Sequence, residues 1–524
     1  MFKHISLVVA VSASLASAEA IWLRSDPPQA AGAWRASSAF QEELIEQITP
    51  GSSFEDVRIS GDHIAWIENS SGKRTVRLDG NQQAGTYDDV KYMKFSWHGA
   101  NFMFFGKRGS SWILVLDGQE QPQRYDKISG ISFQPEGTSY AFVECREKRC
   151  RLNVDGGEVG AVYEDFSYPQ YSRDGKRLAY FGKRGRKWIA VVDGKETAPD
   201  LDDLWGSAWG FTLDGSRFYA AGRVNGKWVY LVDGAPGPSF DAISRIAFSV
   251  DGQHYAYGGT IVSEGALKKK TIGTMVIDGK AGETYEGRGM AGSLSLLGGS
   301  WEYMIGGVHE FHAGFYGVSS PWFSSEGKLA YAVRRKKGEE AVLVGGETGP
   351  GFEEIISPVL FSREASHFAY IAKRDGEFLE VRDHQVGQTF SLSKTKNRAT
   401  DVPWIQMSAD GTHLAYEIVS GGQKFAEGNT KRALRAVVMD GKAGPEYDAL
   451  ELENFDFGVD ASHFHYEVHG AKEDRDLVNV DGHESRLYNS VWATHFAADG
   501  ERVTFFARDD GRILRVIAPL RQRP

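Results

Sequence analysis

Residues 169–194 read PQYSRDGKRLAYFGKRGRKWIAVVDG. Three short runs rich in aromatic and β-branched residues, at 170–172, 177–182 and 188–192, are separated by turns at Asp174-Gly175 and Gly185. Asp193-Gly194 closes the stretch. Asp-Gly supplies the positive φ angles a tight hairpin needs, so the stretch reads as antiparallel strands joined by short turns. Versions of it recur from about residue 54 to the C-terminus. The closing pairs begin at Asp79, Asp117, Asp155, Asp193, Asp233, Asp278, Asp440 and Asp481, the first four spaced by 38 residues. One hairpin-rich unit per such period predicts an all-β fold, a β-propeller.

Working outward, each copy opens on an aromatic, an acid, any residue and a branched apolar residue. Examples are Phe54-Glu55-Asp56-Val57, Tyr87-Asp88-Asp89-Val90, Tyr163-Glu164-Asp165-Phe166 and Tyr447-Asp448-Ala449-Leu450. First turns fall at Gly61, Gly99, Gly137, Gly175, Gly215, Gly252, Gly299, Gly327, near Ala365, Gly411, near Ala461 and Gly500. That count gives about twelve four-stranded units, the one around Gly299 being short and degenerate. Single rings usually hold about four to eight blades. Two six-bladed rings in tandem are therefore expected, at 54–284 and 285–524, with one oversized ring as the alternative. An N-terminal strand completing the last blade of its ring would leave no unpaired edge.

The stretch Pro169 to Tyr180, with the similar segments 246–257 (IAFSVDGQHYAY) and 321–331 (PWFSSEGKLAY), resembles the TolB-like, WD-repeat-like propeller family. The resemblance covers most of the chain and speaks to fold. It implies a periplasmic or secreted propeller used for protein contact. Related blades also occur in peptidases of the prolyl oligopeptidase type. The region before the repeats is too short for TolB's separate N-terminal α/β domain, and no hydrolase domain is expected after them.

The first 20 residues have the composition of a signal peptide: a short polar start, the apolar run Ile5 to Leu15, and the small-residue site Ala16-Ser17-Ala18. No cysteine lies near that site, so no lipid anchor is expected, and the apolar run is too short to span a bilayer. A periplasmic or secreted protein with no transmembrane segment in the mature chain follows. Residues 21–53 read as a lead-in with a short helix placing Phe40, Leu44, Ile45 and Ile48 on one face. The formal charge of −10 argues against nucleic acid or an anionic membrane surface as partner. The two cysteines, Cys145 and Cys150, flank a four-residue connection and are expected to pair as a disulfide.

No nucleophile elbow, P-loop, dinucleotide fingerprint or H-E-x-x-H motif occurs, and no metal or cofactor is expected. The recurring acids are expected to satisfy backbone donors at the strand entries. Trp112, Trp188 and Trp228 share one repeat position and are expected to pack between blades, whereas Trp205 and Trp209 fall outside the pattern and are candidates for an exposed contact. His309 and His312, and the alternating His463, His465 and His469, are weak metal candidates whose expected role is structural. Two units carry long insertions between their second and third strands, at 258–273 and 418–435. Long loops on a rigid scaffold are where binding residues usually sit. Lys268, Lys269, Lys270, Lys424, Lys431, Arg432 and Arg435 would gather positive charge there. The reading is a non-catalytic binding scaffold for a protein or an anionic polysaccharide. The alternative is a metal-dependent hydrolase, lactonase or lyase with a central-channel site. That alternative needs acids or histidines at equivalent inner-strand positions, and the inner strands read as mainly aromatic and aliphatic.

Overall fold

The computed structural model describes residues 40–520, except 98, 138, 147–148, 265–268, 288–317, 336–337, 390–403, 421–432 and 472–473. These residues form eleven antiparallel sheets, each four strands across, and contain no α-helix. In chain order the blades are 53–87, 89–120, 127–163, 165–201, 203–236, 242–286, 322–348, 354–389, 405–449, 451–484 and 490–519. We number them one to eleven. A succession of four-stranded antiparallel sheets is the architecture of a β-propeller. The expected unit around Gly299 lies outside the described residues.

Turn chemistry explains the regularity. The first-turn residues Gly61, Gly99, Gly137, Gly175, Gly215, Gly252, Gly327, Ala365, Gly411, Ala461 and Gly500 all have positive φ. Ala365 and Ala461 hold it at 52° and 58° without the freedom of glycine. In nine blades the third strand ends on an aspartate with φ between 47° and 52°, from Asp79 to Asp481. One oxygen of each accepts the backbone N–H that starts its own second strand, as Asp117 does from Phe102 (2.7 Å) and Asp193 from Leu178 (3.0 Å). The other oxygen meets a side chain of the first turn, such as Asn101, Arg177 or His367. One carboxylate thus ties both ends of the blade's central hairpin together.

The opening signature has equally local work. Tyr87 and Tyr163 lie flat over Gly106 and Gly182, where an added Cβ would come within 2.3 and 2.4 Å of the rings. Their hydroxyls donate to Glu120 and Glu196 on the following blade, each at 2.7 Å. The signature acid caps the turn between strands two and three: Asp88 accepts from Gly109 N–H at 2.8 Å and Glu164 from Gly185 at 3.2 Å. It also takes a lysine, Lys73 on Asp88 and Lys187 on Asp202.

The N-terminal segment departs from expectation. Gln41–Gln47 is a strand, not a helix, and pairs antiparallel with Arg512–Pro519 as the fourth strand of blade eleven. Its helical periodicity is overridden by an otherwise unpaired edge, whose backbone groups need partners. Glu42 there accepts from the Tyr488 hydroxyl at 2.9 Å, the role Glu120 and Glu196 play elsewhere.

The described residues fall into two compact units, one within Met1–Glu68, Arg77–Asn81 and Ser391–Pro524, the other within Asn69–Val76 and Gln82–Phe390. The disulfide Cys145–Cys150 joins directly opposed residues of blade three, with a Cα separation of 4.0 Å.

Candidate functional site

Two features depart from the repeat. The first is the central hairpin of blade six. Its strands, Tyr255–Glu264 and Lys269–Ile277, run to 10 and 9 residues, against 7 and 6 in blades two and four. Pairing continues through Val262–Thr271, Ser263–Lys270 and Glu264–Lys269, about 10 Å beyond the point where blade two turns. Asp241, the signature acid, accepts from Val262 N–H at 3.0 Å and takes Lys227, so the base of the extension is anchored. Ile261 is 51% exposed there.

The second lies in blades ten and eleven. Six residues past the first-turn residue, most blades bury an apolar side chain: Phe105, Val143, Phe181, Ala221, Ile371 and Phe506. Blades nine and ten bury Glu417 and Glu467 instead. Glu417 pairs with Arg435 at 2.6 Å. Glu467 lies 3.0 Å from His469 Nε2 and accepts both the N–H and the hydroxyl of Thr494 on blade eleven, at 2.8 and 2.7 Å. His469 Nδ1 is 3.1 Å from Asp476, whose carboxylate also accepts from Gly470 N–H (2.9 Å) and Val491 N–H (3.3 Å). Glu453 approaches His469 Nε2 at 3.8 Å from the first strand, its side chain 38% exposed.

This environment moves the protonation equilibria apart. Burial works against the charged form of Glu467, but the bonds from His469 and Thr494 hold it down at about 2. Burial likewise opposes the imidazolium of His469, and is outweighed by Asp476 and Glu467, which raise it well above its ordinary value. Burial and the neighbouring Glu451 push Glu453 up to about 7. Burial also raises Asp456 to about 6, against the bond it accepts from Gln406 at 2.9 Å. His465 is fully buried beside Phe496 and is driven down to about 3 by that burial. An imidazolium between two carboxylates is thus flanked by a water-accessible acid that titrates near neutrality. Asn454, next to Glu453, sits at φ 49° in a strand bulge.

The first strands are therefore not uniformly aromatic and aliphatic. Glu451, Glu453 and Asp456 line that of blade ten, and the bulge at Asn454 hides the acids from a simple alternating pattern. Counting six residues from each first turn would have exposed Glu417 and Glu467 as the polar exceptions in an apolar column.

The sequence-selected residues fall in different places. Trp205 and Trp209 are 6% and 2% exposed and pack in separate clusters, not on the surface: Trp205 against Trp228, Trp209 against Phe181. Trp112, Trp188 and Trp228 do pack against the repeat, under Lys107, Lys183 and Arg223 at 4.7–5.7 Å. Arg435 is buried in its pair with Glu417, which removes it from any basic surface. Lys269 and Lys270 begin the third strand of the blade-six hairpin. Lys268, Lys424, Lys431, Arg432, His309, His312 and the signal segment lie outside the described residues. His463 meets Asp481 in the turn clamp at 2.7 Å. Among the described residues, no group of three or more His, Cys, Asp or Glu is arranged to hold a metal ion, and no helix is long and apolar enough to cross a membrane.

No protein-family model and no curated protein matches the sequence. Solved structures similar to the chain include TolB from Acinetobacter baumannii, at 14% identity and TM-score 0.24, covering 44% of this chain. The chain spans 65% of the length of that TolB structure. The Dos1 propeller is similar over 74% of this chain and 95% of its own, at 9% identity and TM-score 0.29. The Cps50 (Swd1) β-propeller domain of Myceliophteria thermophila is similar over 57% and 99%, at 13% identity and TM-score 0.24. The sheet order itself carries the assignment: the chain is a β-propeller.

Proposed function

We propose that the protein is an exported, non-catalytic propeller scaffold that binds an acidic protein through the blade-six hairpin. The observation that supports this is the hairpin's length. Three paired positions beyond its neighbours give a rigid projection, anchored at its base by Asp241 and carrying exposed Ile261. Lys269 and Lys270 open its returning strand, and Lys268 precedes them in the sequence. Such an element offers a small apolar contact edged with positive charge, and a projection on a rigid frame loses little entropy on binding. The recurring aspartates, by contrast, have their partners within the blades and leave little chemistry for a ligand.

On this reading the repeats, with the Gly299 unit as the twelfth, make two rings of six, and the first 20 residues direct export. Solution scattering distinguishes two rings from one large ring, and the mass of the mature protein reports cleavage near residue 20. The direct test is crosslinked capture from the envelope or secreted fraction, with wild type beside a 263–270 deletion. A protein recovered by wild type alone supports the proposal. Equal recovery by both moves the contact off the hairpin, and recovery of an anionic polysaccharide instead changes the partner's class.

A further inference from the structure

We propose that the Glu453–His469–Glu467–Asp476 cluster is a pH-responsive latch that holds blade eleven, and with it the N-terminal strand, onto blade ten. Glu467 and Asp476 belong to blade ten, yet they accept the backbone N–H groups of Thr494 and Val491 on the first strand of blade eleven, Glu467 through the oxygen that His469 leaves open and Asp476 through the oxygen it shares with His469. His469 sits between the two carboxylates and fixes both. Blade eleven in turn carries Gln41–Gln47 as its fourth strand. The chain's two ends are therefore joined in a sheet whose first strand is held by an ionisable cluster.

The charged groups around His469 come from each element packed on it. Its own strand supplies Glu467 and His465, the preceding strand Glu451, Glu453 and Asp456, and the following segment Asp476, while His495 of blade eleven acts on His465. The strand Leu477–Val480 supplies none.

A group whose proton affinity differs between the folded and unfolded chain makes stability depend on pH. Glu453 binds its proton more tightly folded than unfolded, so it favours the closed form in mild acid and opposes it as pH rises through about 7, whereas Asp456, raised to about 6, faces Gln406 on blade nine. His469, also raised, contributes fully below its unfolded value and is lost only as pH rises through its higher folded value. Glu467 acts oppositely: its contribution is present above its unfolded value and fades as pH falls toward about 2. His465, kept neutral by burial, also opposes acid, between its unfolded value and about 3. The latch is tightest in mild acid and loosens toward alkaline pH, when Glu453 ionises beside Glu451 and Glu467.

Amide hydrogen exchange, corrected for intrinsic rates and read near pH 5 and near pH 8, tests this on the full chain. For the wild type, exchange in 490–519 and 41–47 should accelerate about tenfold relative to blade four between the two conditions, the effect of about one pK unit. Glu453→Gln cannot ionise, leaves the buried bonds in place, and should remove most of that acceleration. Uniform acceleration in every blade, none in blade eleven, or an unchanged profile in Glu453→Gln would each overturn the latch. Thr494→Val provides a second reading at fixed pH. It removes one of the two bonds to Glu467 and should speed exchange in 490–496 several-fold near pH 5, whereas unchanged protection there would count against the coupling.

Discussion

Blades two and ten share a strand order, and three aligned positions set their seams apart. Blade two places Phe105, Lys107 and Trp112 where blade ten places Glu467, His469 and Asp476. In blade two the cation lies over an indole, at 5.7 Å, above an apolar seam. In blade ten the cation lies between two buried carboxylates. The same fold thus tolerates an oily seam and an ionic one. The ionic one adds something the oily one lacks, a dependence on proton concentration. It occurs beside the blade that closes the chain.

Emptying both seams should have the largest effect. Glu467→Ala leaves the Thr494 N–H without its acceptor and the His469 imidazolium with Asp476 as its one close carboxylate, and should cost about 3–5 kcal/mol. Phe105→Ala should cost a similar ~3–5 kcal/mol through the cavity it leaves. Denaturant unfolding at several pH values separates the two. Loss of stability in acid should flatten in Glu467→Ala, because the wild-type contribution of Glu467 disappears as pH falls below the ordinary carboxylate range toward about 2. The Phe105→Ala deficit should stay constant with pH. Equal pH profiles for the two variants would mean that Glu467 is not stabilised as a carboxylate.

A smaller effect tests why the two blades open differently. Gly106 in blade two lies under the Tyr87 ring, whereas blade ten has Val468 at that position and its signature tyrosine, Tyr447, shifted toward the N-terminus. Gly106→Ala should push the ring aside and cost about 1–3 kcal/mol by overpacking. A neutral result would show that the tyrosine can move freely. The disulfide offers a comparison outside both seams: it closes a short loop, so Cys145→Ser should cost no more than about 2 kcal/mol. Its measured melting shift should therefore be below that of Glu467→Ala.

Much of the fold was legible because turn residues act through the local backbone. Gly99, Gly137 and Gly175 announce their turns, and even Ala365 and Ala461 fall where the period requires. The disulfide was legible for the same reason, since a short hairpin puts Cys145 opposite Cys150. The strand at Gln41–Gln47 was not, because its partner lies more than 460 residues away and its own pattern favours a helix. Nor were the buried tryptophans, Trp205 and Trp209: their irregular position in the repeat points to exposure, but the bulged strand Asp203–Phe211 turns both inward. The acid–histidine cluster stayed hidden because its members come from two strands and the segment before a third, and the bulge at Asn454 breaks the alternation that would align them. Arg435 misled as a surface charge because its partner, Glu417, sits across an insertion.

The smallest predicted effect bears most directly on what the two cations do. Trp112 is approached by Lys91 at 5.3 Å as well as by Lys107 at 5.7 Å. Removing one ammonium leaves the other, and an exposed cation–π contact is worth about 0.5–1 kcal/mol at most. Lys107→Gln should therefore change stability by about 0.5 kcal/mol or less. His469→Gln removes a charge that two carboxylates share. It should be far more damaging in mild acid, and the gap between the two variants should narrow as pH rises through the folded pKa of His469. Urea midpoints for the pair across that range give the answer. A constant gap would mean that His469 serves only as a hydrogen-bonding ring, and the response of blade ten to protons would then rest on its carboxylates.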